Sequence, residues 1–135
     1  MFRDSAFFMC YDLFEMDKNT YKAIKKYTEA PKDPISLIKG DCVQVLKDSD
    51  PSGDWPNWVL CHGNDQEGWV PKQILDLNGN MAVVSENYTA REMNLSIGEI
   101  ILGSSELNGW VWAVKKEEPE ISGWAPLNCL ERFEI

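Results

Sequence analysis

Gly68-Trp69-Val70-Pro71-Lys72-Gln73-Ile74-Leu75 is matched 55 residues later by Gly123-Trp124-Ala125-Pro126-Leu127-Asn128-Cys129-Leu130. The likeness continues toward the N-terminus. Trp58-Val59 returns as Trp110-Val111 after 52 residues, Gly40-Asp41 as Gly98-Glu99 after 58, and Tyr27-Thr28 as Tyr88-Thr89 after 61. Matched blocks in one order with changing spacers describe a repeated scaffold whose loops differ in length.

The scaffold is built of short strands. Val43 and Val45 alternate after Gly40-Asp41, as do Ile100 and Leu102 after Gly98-Glu99. Trp58 and Leu60, and Trp110, Trp112 and Val114, keep the same period of two, which puts alternate side chains on opposite faces. Between these runs lie Asp48 to Asp54, His62-Gly63-Asn64-Asp65 and Asn108-Gly109, all turn chemistry. The expected fold is all-β, two small barrels in tandem. A barrel of that size buries only about 60% of the surface its unfolded chain exposes, so packing of the copies on each other is expected.

The expected boundaries are 1–20 for an arm outside the repeat, 21–77 for the first barrel and 81–135 for the second. Asp76 to Asn80, with Asn78-Gly79 at its centre, is read as the boundary between copies, too short to let them tumble freely. In the arm, Phe7, Tyr11 and Phe14, and Met9, Leu13 and Met16, recur at helical spacing from a start near Asp4 or Ser5. Such an apolar face either covers a barrel flank or the seam between barrels, serves dimerisation, or lies in a groove as an internal ligand.

A net charge of −9 repels phosphate backbones and anionic lipid. The expected partner is therefore a protein or peptide of basic character, not nucleic acid or a membrane. Cys10, Cys42, Cys61 and Cys129 include no C-x-x-C pair and His62 is the single histidine, so no metal or other cofactor is expected. Asp12, Glu15 and Asp17 interrupt any signal-like apolar run near the start, and a cytoplasmic setting with reduced thiols is expected. No nucleophile elbow, phosphate loop or histidine ligand set is present, and His62 and Cys61 would face opposite ways on a strand. Catalysis is not expected.

Ala23 to Tyr27, Ile35-Ser36-Leu37 with Lys39-Gly40-Asp41, Trp58 and Gly68-Trp69-Val70-Pro71 resemble the ALYDY, ELSF-KKGD, Trp and G-Y-I-P segments of the Src-homology-3 (SH3) family. Val84 to Tyr88, Met93-Asn94-Leu95 with Ile97-Gly98-Glu99, Trp110 and Gly123-Trp124-Ala125-Pro126 repeat the pattern. The resemblance implies two five-stranded, partly open barrels, each with an aromatic groove for proline-rich peptides in the polyproline II conformation. By position the grooves comprise Tyr27, Trp58, Trp69 and Pro71, and Tyr88, Trp110, Trp124 and Pro126. Glu29, Asp33 and Glu92 are the acidic residues the resemblance sets opposite a ligand Arg or Lys.

Two departures stand out. The family's central ALYDY tyrosine is Lys25 in one copy and Glu86 in the other, and the tyrosine after the groove proline is Ile74 or Cys129. Both changes remove rings from one proline pocket of each groove. Val59 and Val111 are the residues expected to face the cores, leaving Trp58 and Trp110 on the opposite faces as recognition surface. Trp69 and Trp124 fit either a groove or a barrel base, and Trp55 reads as a loop anchor. The function expected is a non-catalytic interaction module; the alternative is a small acidic inhibitor or immunity-type protein that covers a basic partner.

Overall fold

The computed structural model describes residues 19–133, so the helix expected near Asp4 lies outside the described residues. Twelve strands follow in order: Asn19–Ala23 (β1), Ser36–Leu37 (β2), Cys42–Asp48 (β3), Trp58–Gly63 (β4), Gln66–Pro71 (β5), Leu75–Asn78 (β6), Met81–Val84 (β7), Tyr88–Thr89 (β8), Ile100–Leu107 (β9), Trp110–Lys115 (β10), Ser122–Pro126 (β11) and Leu130–Arg132 (β12). Single 3-10 turns at Lys72–Ile74 and Leu127–Cys129 link β5 to β6 and β11 to β12. The fold is all-β, and no helix among the described residues is long and apolar enough to cross a membrane.

Strand order reveals how the repeats are joined. One five-stranded antiparallel sheet runs β5-β4-β3-β7-β6 and the other β11-β10-β9-β1-β12. Each is completed by the first strand of the other repeat. β7, which opens the second repeat, lies between β3 and β6, while β1, which opens the first, lies between β9 and β12. The cores follow the sheets. One is built from Ile35, Leu37, Val43, Val59, Cys61, Val70, Ile74, Ala82, Val84 and Ala90. The other joins Tyr21 and Ala23 to Met93, Leu95, Ile101, Val111, Ala113, Ala125, Cys129 and Leu130. Barrel one is thus the continuous stretch 35–90, and barrel two is 93–132 closed by β1.

Loop length explains the exchange. Asn78 and Met81 face each other across the β6–β7 ladder, so Gly79 and Asn80 form a two-residue hairpin loop. A connection that short can only fold the next strand back beside the last, and Gly79 takes the φ of +67° such a turn needs. The stretch read from sequence as a boundary between copies is therefore the hairpin that hands β7 to barrel one. Barrel two is left without a neighbour for β9 and β12, and β1 fills the slot.

Side-chain volume specifies which strand goes where. Tyr21 is 2% exposed and stands opposite Ile101, with Gly103 two residues along β9. A Cβ on Gly103 would sit 2.6 Å from Val111 and 2.7 Å from the Tyr21 ring. At the matching sites of barrel one, Ala82 stands opposite Val43, with Val45 two residues along. Tyr with Gly fills one barrel and Ala with Val fills the other. Returning each strand to its own repeat would crowd Tyr21 against Val45 and leave a void between Ala82 and Gly103, both destabilising.

Candidate peptide-binding cleft

The segments that carry β1 and β7 to opposite barrels cross on one side of the molecule. Ser36-Leu37 pairs with Tyr88-Thr89, and Tyr27 pairs with Leu95. Beside this crossing lies a cleft of about 840 Å³ walled by both repeats. Of the eleven residues singled out in the sequence it gathers eight: Tyr27, Glu29, Trp58 and Trp69 from the first repeat, Tyr88, Glu92, Trp110 and Trp124 from the second.

The other three lie elsewhere. Pro71 and Pro126 are fully buried, opposite Trp58 and Trp110 in their ladders. Asp33 accepts a hydrogen bond from Gln66 Nε2 at 2.8 Å and is not part of the cleft wall.

Trp58 and Trp110 are 6% and 7% exposed, although Val59 and Val111 face the cores as the alternation requires. Contacts across the repeats cover the tryptophans. Trp58 Nε1 donates to the Asn108 carbonyl at 3.1 Å. Trp110 meets Tyr27 edge-on with centroids 5.8 Å apart and lies 5.2 Å from Trp55 at a tilt of 39°. Trp55 is thus a loop anchor, as read, but it anchors onto the other repeat and also lines the cleft. Sequence carried no signal for this, because the partner ring comes from the other barrel.

The Asn108-Gly109 turn locks the barrels together. The Asn108 amide donates to the Asn57 carbonyl at 3.0 Å and to Gln73 Oε1 at 2.8 Å, and its oxygen accepts from Gln73 Nε2 at 2.7 Å. Asn57 and Asn108 hold φ values of 72° and 48°, a region asparagine tolerates better than most side chains. At Gly109, φ is +91° and a Cβ would come 2.9 Å from Trp55, so the turn admits little but glycine.

Tyr27 and Glu92 bring the charged part of the repeats together, the phenol donating to the carboxylate. Burial lifts the Glu92 carboxyl above its ordinary range and the Glu29 charge adds to this, while the Tyr27 hydrogen bond opposes. Burial, then Glu92, likewise pushes the Tyr27 phenol far up. Around them the wall carries Asp48, Asp50, Asp54 and Glu67, making, among the described residues, six carboxylates against the single cation Lys47.

Trp69 and Trp124 both line the cleft beside the Tyr88-Thr89 strand. Trp69 is 38% exposed, with the Lys47 ammonium 5.9 Å from its ring. Tyr88 OH donates to the Trp69 carbonyl at 2.9 Å. Trp124 donates to the Thr89 carbonyl at 2.9 Å and packs edge-on against Trp112, whose ring lies 5.3 Å from the Arg91 guanidinium. Rings and carboxylates, with Pro31 and Pro34 on the rim, are the chemistry of recognition. His62 is exposed and Cys61 is buried with its thiol pushed up to about 11 by desolvation, so the two do not act together. Among the described residues no group of three or more His, Cys, Asp or Glu side chains is placed to hold a metal ion.

Residues 20–77 match the family model of the variant SH3 domain. This stretch is similar in sequence to that domain, a type that suggests a protein-interaction module. The match begins within β1, which lies in barrel two, and ends before β7, which completes barrel one.

Proposed function

We propose that the chain is a non-catalytic interaction module in which two SH3-like barrels, the second built largely from 81–135, share one cleft for one extended, basic peptide. The observation that carries this reading is the convergence of indoles, phenols and carboxylates from both repeats on a single wall. An extended peptide with prolines would stack on Trp69 and Trp124 and present Arg or Lys to Glu29, Glu92 and the Asp48–Asp54 loop. With Pro71 and Pro126 buried and two of the family's groove tyrosines replaced in each copy, affinity rests on the shared cleft more than on two separate proline grooves. Two half-sites on one ligand act through effective concentration, so neither half needs to be tight.

The test is a titration of isotopically labelled protein with proline-rich peptides flanked by Arg, following the indole N–H resonances. The expected result is that one peptide, at one equivalent, shifts Trp69 and Trp124 together. Shifts confined to one repeat would overturn the shared cleft. No shift at millimolar peptide, with tight and steeply salt-dependent binding to a folded basic protein, would favour the inhibitor-type alternative.

A further inference from the structure

Barrel two is closed by a strand that reaches it from the far side of barrel one, and the connection divides sharply. Residues 19–30 are fastened to barrel two. β1 is held by ladders on both sides, Tyr27 exchanges backbone hydrogen bonds with Leu95 at 3.0 and 2.8 Å, and Ala30 N–H donates to Asn94 Oδ1 at 3.0 Å. From Ile35 onward the chain belongs to barrel one, where Ile35 is buried and its carbonyl accepts from Ala90 at 2.9 Å.

Between the two lies Pro31-Lys32-Asp33-Pro34, with Pro31, Lys32 and Asp33 exposed. Gln66 of barrel one reaches Asp33 and the Pro34 carbonyl. Two prolines fix φ at their own positions and remove two N–H donors, and the chain bends between them at Lys32 and Asp33.

We propose that residues 19–30 exchange between two copies of this chain, each β1 closing barrel two of the other, with Pro31–Pro34 as the hinge. The occupant is set by the slot itself. Gly103 leaves room for the Tyr21 ring, and a small residue such as Ala82 in that place would leave a void. A second copy of β1 meets the slot's shape fully. In such a dimer Tyr27 and Glu29 travel with the exchanged segment, so each cleft is walled by two chains.

Every contact of barrel two is the same in both forms, and the hinge alone differs. Closure within one chain has the advantage of an effective concentration of about 1 mM for a short tether. The monomer therefore dominates at micromolar concentration. Chains that fold together near about 1 mM form the exchanged dimer, and it then persists because release requires opening barrel two.

The experiment is refolding of the full chain from urea at about 1 µM and about 1 mM, followed by light scattering after dilution. The expected product is monomer from the first and a substantial fraction of long-lived dimer from the second. In dimers refolded from mixed labelled and unlabelled chains, an intermolecular nuclear Overhauser effect between Tyr21 and Val111 is expected. Deleting Lys32 and Asp33 shortens the hinge and should give dimer even from dilute refolding. A purely monomeric wild-type product at the high concentration overturns the proposal, whether or not the deletion variant folds, and so does a dimer lacking the Tyr21–Val111 effect between chains.

Discussion

The phenol of Tyr27 donates a hydrogen bond to the carboxylate of Glu92, joining residues 65 positions apart in the chain, one from each repeat, at the wall of the shared cleft. Glu29 approaches the same carboxylate closely enough for its charge to be felt there.

This pair makes stability and binding respond to pH in opposite directions. The Glu92 pKa is raised by burial, so between its unfolded and folded values the native state holds more protons than the unfolded one. Stability therefore falls as pH rises through that window, starting from the ordinary carboxylate range. Urea unfolding of the Glu92→Gln variant should lack this decline while the wild type shows it. Affinity for an Arg-bearing peptide should instead rise with pH over the same window, because the anion is the form that attracts the cation.

The strand exchange predicts a specific coupling. Gly103→Val should cost about 1–3 kcal/mol by overpacking against Tyr21. Tyr21→Ala should cost about 3–5 kcal/mol by emptying the same space. Combined, the two should be less damaging than their sum by more than about 0.5 kcal/mol. Additivity in equilibrium urea unfolding would show that Tyr21 does not pack on Gly103.

Trp110 and Trp69 both line the cleft, with opposite consequences. Trp110 is buried between Tyr27 and Trp55, and Trp110→Ala should cost about 3–5 kcal/mol of stability. Trp69 is among the exposed large side chains, so Trp69→Ala should change stability by about 0.5 kcal/mol or less. Its effect should appear in calorimetric titration with peptide, as a loss of about 1–2 kcal/mol, or roughly tenfold in affinity.

The Asn108 side chain makes three hydrogen bonds between the barrels while its backbone is left-handed. Asn108→Gly keeps that backbone accessible and removes the amide, so it isolates the lock. The expected cost is about 1–3 kcal/mol, with faster amide hydrogen exchange at the barrel seam and little change inside either core.

Much of this was legible in the sequence. Period-two alternation placed Val59 and Val111 in the cores, and the repeated Trp and Gly-Trp-x-Pro blocks marked where aromatic rings would gather. The burial of Trp58 and Trp110 was not legible, because what covers them is Asn108, Tyr27 and Trp55, each from the opposite repeat. The exchange left one readable trace. Asn78-Gly79-Asn80 is a hairpin signal, and a two-residue loop obliges the next strand to pair with the one before it. Placing a domain boundary there weighs the repeat above the turn chemistry. The second trace, a tyrosine matched to a glycine and an alanine to a valine, becomes readable only once the register is known.

β1 and β12 pair antiparallel, Tyr21 opposite Arg132, and Phe133 N–H donates to the Thr20 carbonyl at 2.9 Å. Asn19 and Phe133 therefore leave barrel two side by side at one end of the β1–β12 ladder. Tension applied between these two points loads the ladder one rung at a time, as a zipper, instead of shearing all its bonds together. The first element to peel away is β12, which only β1 holds in the sheet, while β1 keeps its ladder with β9. A pull across these two points thus frays barrel two from its edge strand, while the segment that carries Tyr27 stays tied to β9 and Leu95 and keeps its place in the cleft wall.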